Sequence, residues 1–309
     1  MARILQKIIV DEDFIWNKNL ENNQEKFLVK LSSETIDQLR MNKKELGNLD
    51  KLGFPKLKNE INELKIRKIL SGVGFFIIDK KNFLDFSKDE IKKIYRIICD
   101  MLGTLYVQNI NSDKIVEIKD EGKSMMLGGR YHQTREGGSY HTDSPHWMNV
   151  PDLVGLLCIN PAKKGGTSKF VSTYTIHNQL LKEQKDKLEA LYEKFYFDKR
   201  GEFETNESQT IFEPIFVFDG DKLHCRFLKD YIVAGHEIQN QPLSKLQEAS
   251  LNLLEEISKN QNNIFSYDLK SDDMIFFDNH RVLHGRTGFE DYEDENRKRL
   301  FLRTWIKFE

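Results

Sequence analysis

The apolar positions of this chain follow two periods, and the change between them falls near residue 105. Upstream, Ile91, Ile94, Ile97, Ile98 and Met101 recur at helical spacing. They follow Ser87-Lys88-Asp89-Glu90, in which a serine and a glutamate are spaced as a capping box. A short apolar run at 73–78, closed by Gly72 and Asp79, predicts a buried strand. Downstream, short apolar stretches alternate with glycine turns. They predict strands near 105–108, 154–159, 169–172, 214–218, 222–227, 264–269, 274–277 and 299–308. Two helices interrupt them, near 176–192 and 244–258. The second opens on another capping box, Ser244-Lys245-Leu246-Gln247, and repeats Leu246, Leu253, Leu254 and Ile257 along one side. No repeat, proline-rich linker or low-complexity tract divides the chain. The expected organisation is one domain over 1–309. A mainly helical, lysine-rich flank at 1–104 precedes a β core at 105–309, which carries an inserted segment at 178–213.

The last strand is the most legible element. Leu300, Leu302, Thr304, Ile306 and Phe308 make one face, while Arg299, Phe301, Arg303, Trp305 and Lys307 make the other. An apolar back seated on a helix, with arginines and large rings opposite, predicts a wall lining a polar cavity.

Composition narrows the function mainly by exclusion. Hydrophobic residues form 39% of the 309, enough for a sizeable core. Lysine plus arginine (47) nearly balance aspartate plus glutamate (49), for a formal charge of −2. That balance argues against a nucleic-acid or membrane-surface binder. Cys99, Cys158 and Cys225 are an odd set without close pairing, which reads as reduced core thiols in a cytoplasmic protein. The apolar stretch near the start is interrupted by Gln6 and Lys7, and no leader or membrane span is expected.

The candidate chemistry sits in His141-Thr142-Asp143 and, far downstream, His284 within Asp278-Asn279-His280-Arg281-Val282-Leu283-His284-Gly285-Arg286. On a strand, side chains at i and i+2 point the same way, so His141 and Asp143 can grip one ion while Thr142 faces away. Two imidazoles and a carboxylate can hold one face of an octahedral Fe(II), leaving the opposite face open for a chelating cosubstrate and oxygen. Gly137-Gly138-Ser139-Tyr140 forms a turn before the first histidine. Gly165-Gly166-Thr167-Ser168 offers hydroxyls at a second tight turn, and Arg299 follows His284 on the two-faced strand.

In this order the motifs resemble the Fe(II)- and 2-oxoglutarate-dependent oxygenases of the taurine dioxygenase, clavaminate synthase-like family, from about Gly72 to the end of the chain. Phe197-Asp198-Lys199-Arg200-Gly201-Glu202 and Cys225-Arg226-Phe227-Leu228-Lys229-Asp230-Tyr231 add to the likeness. The resemblance implies a mainly β fold with flanking helices, a double-stranded β-helix or jelly roll. It implies His141, Asp143 and His284 as iron ligands and Arg299 as the anchor of the distal carboxylate of 2-oxoglutarate, which a guanidinium meets with two parallel hydrogen bonds. Thr167 or Ser168 would support the same carboxylate. Arg303 would meet an anionic group on a small polar substrate. The implied cosubstrates are 2-oxoglutarate and O2, and the implied outcome is C–H hydroxylation with succinate and CO2 released. Desaturation or ring closure are variants, and a non-catalytic ligand-binding jelly roll is the alternative. Asp143 in place of a small residue argues against halogenation. The segment 178–213 is the candidate lid.

Several residues have competing readings. His146 could bind metal or touch substrate, and Trp147 could touch substrate. His280 and His284 would make a zinc pair only on a helix, and Arg281 stands where the catalytic glutamate of that motif belongs. His132, His177, His224 and His236 read as packing or surface residues. Arg286 reads as ordering the ligand turn, against Glu290 or Asp291, or as reaching the active site, with the first reading favoured. No nucleophile elbow, P-loop or complete dinucleotide fingerprint is present.

Overall fold

A computed structural model describes residues 3–47, 53–109, 111–123 and 133–309, so His132 lies outside the described residues. Both capping boxes form as spaced. Ser87 starts the helix Lys88–Leu102, accepting from Glu90 N while the Glu90 carboxylate accepts from Ser87 N. Ser244 and Gln247 do the same for Lys245–Lys259. The apolar stripe of Lys88–Leu102 packs on the back of the larger sheet, where Ile94, Tyr95, Ile98 and Leu102 join Leu153, Leu157, Phe276 and Ile306 in one core.

That sheet runs Leu28–Val29, Phe75–Ile78, Met274–Asp278, Leu153–Asn160, Leu300–Lys307 and Thr104–Leu105 across, with Val116–Ile118 also paired to the terminal strand. Only the Leu28–Val29 pairing is parallel. Gly155 lies on the central strand because nothing larger fits, since a Cβ there would stand 2.6 Å from Thr304 Oγ1 and 2.9 Å from the Phe276 ring. A smaller antiparallel sheet runs Phe265–Tyr267, Ser168–Ser172, Val282–Arg286. Phe75, Ile77, Ile275 and Phe277 of the large sheet share a core with Phe170, Phe265 and Val282 of the small one, so the two sheets face each other. Each such side chain contributes about 1.5–3 kcal/mol by leaving water. The site lies in this two-sheet core.

A third core lies beyond the small sheet and corrects part of the sequence reading. The helix expected near 176–192 breaks at Gln184 into Thr173–Glu183 and Lys185–Ala190. The strand expected at 214–218 is two strands. Thr210–Pro214 pairs with Lys194–Asp198, and Phe216–Phe218 pairs with Leu223–Cys225. Pro214 ends the first because it has no N–H to continue a ladder. Much of 178–213 is therefore core, with Leu180, Leu188, Phe195, Phe197 and Ile211 all buried. The turn between the Lys194–Asp198 and Thr210–Pro214 strands reaches the site. The helix Lys229–Ile238 was not foreseen.

The terminal strand behaves as its alternation predicts. Leu300, Leu302, Ile306 and Phe308 pack with the helical core, while Phe301 and Trp305 pack into the inter-sheet core. Thr304, the polar exception on the apolar face, is satisfied by Tyr95 Oη at 2.9 Å and Cys99 Sγ at 3.3 Å.

Candidate metal centre

His141 does not lie on a continuous strand as expected. Its segment forms a single antiparallel bridge to His284, with His141 N donating to His284 O at 3.0 Å and His284 N to His141 O at 2.9 Å. Residues paired in this way project side chains to the same face, and the two rings lie 4.4 Å apart. Gly285 permits the approach, because a Cβ there would be 2.6 Å from Ser139 O. Beyond His141 the chain turns out of strand geometry, and Ser144 has φ +50°. Side-chain clamps replace the ladder. Asn279 accepts from Asp143 N at 2.7 Å and donates to Asp143 O and Pro151 O. Thr142 faces away, as predicted, and bonds Phe227.

The result brings the three predicted ligands together. Among the described residues, His141, Asp143 and His284 are the group whose ligating atoms all lie within 4.8 Å of one another. Asp143 Oδ1 is 3.6 Å from Nε2 of both histidines. Burial pulls the His284 pKa down to about 4, helped by the neighbouring His141, so its ring is neutral. Burial alone would raise Asp143, but Arg303 and the two imidazoles hold it well below the usual carboxylate range. His141 Nδ1 faces Ser139 O at 3.3 Å, which assigns the proton to that nitrogen and leaves Nε2 a lone pair. That lone pair then faces a carboxylate oxygen across a gap longer than a hydrogen bond. A divalent cation fits between them.

The cavity at this point is lined by the triad together with Ser168, Glu202, Tyr231, Arg299, Arg303 and Trp305, among others. Arg299 is buried and stacks on Phe289 and Phe301, with guanidinium carbon to ring centroid distances of 5.1 and 4.2 Å. Of the two hydroxyls at the Gly165-Gly166 turn, Ser168 lines the cavity, whereas Thr167 uses its backbone to bond Thr287. Both glycines have φ near +73° and supply the turn. Arg303 lines the cavity too, with Nε on Gln108 at 2.9 Å and Nη1 3.4 Å from Asp143 Oδ2. His146 stands outside the ligand cluster, with Nε2 3.0 Å from Glu202 Oε2. Trp147 Nε1 donates to the same oxygen at 2.7 Å. Arg286 donates to the carbonyls of Thr134 and Glu136 and orders the glycine turn that precedes His141.

Sequence reasoning missed Glu202, Asn279 and Gln108. Glu202 and Asn279 lie inside quoted motifs, but only the tertiary contacts reveal their duties. His280 pairs with Asp152 at 3.4 Å and His224 with Asp219 at 3.0 Å, away from the triad.

This order of motifs matches a known family. The taurine catabolism dioxygenase TauD, TfdA family matches residues 43–305. The chain belongs to this family. FR-33289 synthase of Streptomyces rubellomurinus is 32% identical over 213 residues, covering 67% of this TauD/TfdA-family chain and 61% of that protein. Gamma-butyrobetaine dioxygenase of Homo sapiens is 26% identical over 155 residues, covering 49% and 40%. The match thus spans less than two thirds of either relative. A structure of asparagine oxygenase with Fe(II), 2S,3S-3-hydroxyasparagine and succinate has a TM-score of 0.70 at 14% identity, covering 91% of this chain and 93% of that one. The non-heme iron oxygenase OrfP with Fe and alpha-ketoglutaric acid gives 0.64 at 12%, covering 92% and 94%. At these identities the likeness is one of fold.

Proposed function

We propose that this chain is an Fe(II)- and 2-oxoglutarate-dependent dioxygenase that oxidises an unactivated C–H bond of a small, polar, anion-bearing metabolite. The observation that carries this is the convergence of His141 Nε2, Asp143 Oδ1 and His284 Nε2 in a buried cavity that also holds Arg299. The facing sheets are read as the halves of a double-stranded β-helix. Three neighbouring ligands on one side leave the other side of an octahedral ion open.

His141, Asp143 and His284 would hold the iron, which supplies O2 activation coupled to decarboxylation of 2-oxoglutarate to succinate and CO2. The residues of the chain do the rest. Arg299 takes the distal carboxylate in bidentate fashion, with the Ser168 hydroxyl beside it. Arg303 supplies positive charge for an anionic substrate group, and His146 shapes the cavity rim, with Trp147 packed on Trp305 and bonded to Glu202. Glu202 ties the turn after Lys194–Asp198 to that rim, making the turn the working part of a lid that excludes water. A cytoplasmic, reducing setting fits the three cysteines, each buried and unpaired.

Anaerobic addition of Fe(II) and 2-oxoglutarate is expected to give a visible charge-transfer band in the wild type and none in His141→Ala. In air, the wild type should release succinate even without substrate. A wild type lacking both signals overturns the proposal.

A further inference from the structure

The two oxygens of Asp143 have different surroundings. Oδ1 faces both histidine Nε2 atoms at 3.6 Å. Oδ2 is turned to the terminal strand, where Trp305 Nε1 donates to it at 2.7 Å and Arg303 Nη1 lies at 3.4 Å. The Trp305 contact is the shorter, and its indole is held from two sides. The Arg303 guanidinium stacks on the ring at 4.2 Å, and Trp147 meets it edge-on at 5.0 Å. Trp147 is itself fixed by its bond to Glu202. Arg303 and Trp305 reach the same carboxylate because they are alternate residues on one face of the strand.

We infer that Trp305 is a positioning residue that holds Asp143 to a single metal-facing oxygen. The inference rests on the metal-centre reading above. A carboxylate can bind a cation through one oxygen or both. Two-oxygen binding here would occupy a position the cosubstrates need, since three protein ligands must leave the opposite face open. An indole N–H donates and neither accepts nor ionises. Rotation of Oδ2 toward the metal would strand that buried donor, so the bond sets the carboxylate's orientation in one direction only. Arg303 adds charge at the same oxygen but from a longer distance, and its Nε is engaged by Gln108. Direction therefore comes from the tryptophan.

The test uses Co(II) as an anaerobic probe of the metal-free protein, read by affinity and by the d–d absorption spectrum. Trp305→Phe keeps the ring contacts and removes the N–H. Its Co(II) affinity is expected to fall about ten-fold or more, as for other partners that orient a ligand, and its d–d spectrum to change shape and intensity. The isosteric sulfur analogue 3-benzothienylalanine, placed at 305, should reproduce both effects and serves where the phenylalanine variant does not fold. Wild-type affinity, or a wild-type spectrum, in a folded variant overturns the inference while leaving the metal centre intact. Failure of the wild type itself to bind Co(II) removes the metal-centre reading, and this inference with it.

Discussion

A histidine can serve as a metal ligand or as a core residue according to what its ring faces, and His284 and His177 illustrate the two settings. Burial brings both His284 and His177 to a pKa of about 4. His284 faces His141 and Asp143, whereas His177 meets the Tyr192 hydroxyl at 2.8 Å and the edge of Phe216. The sequence already distinguished the two, because His284 had a motif and His177 had none. The pKa of His177 is depressed from the ordinary 6.5, so its neutral form is the one the fold accommodates. Its contribution is intact above pH 6.5 and is lost as pH falls toward 4, at about 1.4 kcal/mol per pH unit. His177→Gln, which keeps an amide for Tyr192, should remove that loss. Urea unfolding of both proteins across this range checks it, and parallel stability profiles would refute the assignment.

Among elements, those with local signals were read well. The two capping boxes and the alternation of the terminal strand need only short-range chemistry, and all three formed as expected. The helix Lys229–Ile238 was missed because Gly235 lowers its intrinsic preference. The fold explains that glycine, since a Cβ there would stand 2.4 Å from Tyr196 O and 2.8 Å from Asp198 N. Gly235→Ala sets two effects against each other. Helix propensity favours alanine by about 1 kcal/mol. The clash is with backbone atoms that cannot rotate away, and overpacking of this kind costs about 1–3 kcal/mol. We expect net destabilisation, with faster hydrogen exchange in the 194–214 hairpin. A more stable alanine variant would show that this helix has room to move.

For the whole molecule, the site joins distant parts of the chain. The His141–His284 bridge, the Asn279 clamp on Asp143 and the Trp305 bond each link residues that only the fold brings together. A cation bound at this junction should stabilise the folded state by mass action, by about 2.7 kcal/mol at roughly 100 times Kd. Mn(II) is therefore expected to raise the melting temperature of the wild type and leave His141→Ala unmoved, with EDTA reversing the gain. A wild type indifferent to both would mean that the triad holds no metal.

Taken by itself, the sequence determined the candidate ligand types, their order, the arginine wall and the family. Each of these is carried by residue identity at short spacing, or by alternation along one strand. The tertiary structure decided what spacing could not express. His141 keeps its direction through one bridge and not through a strand, Ser168 and not Thr167 faces the cavity, and much of 178–213 is buried core. Glu202, Gln108 and Asn279 gained roles because hydrogen bonds and packing depend on which distant atoms arrive within a few ångströms. That distance is set by the closing of two sheets over a shared core, and no local pattern encodes it.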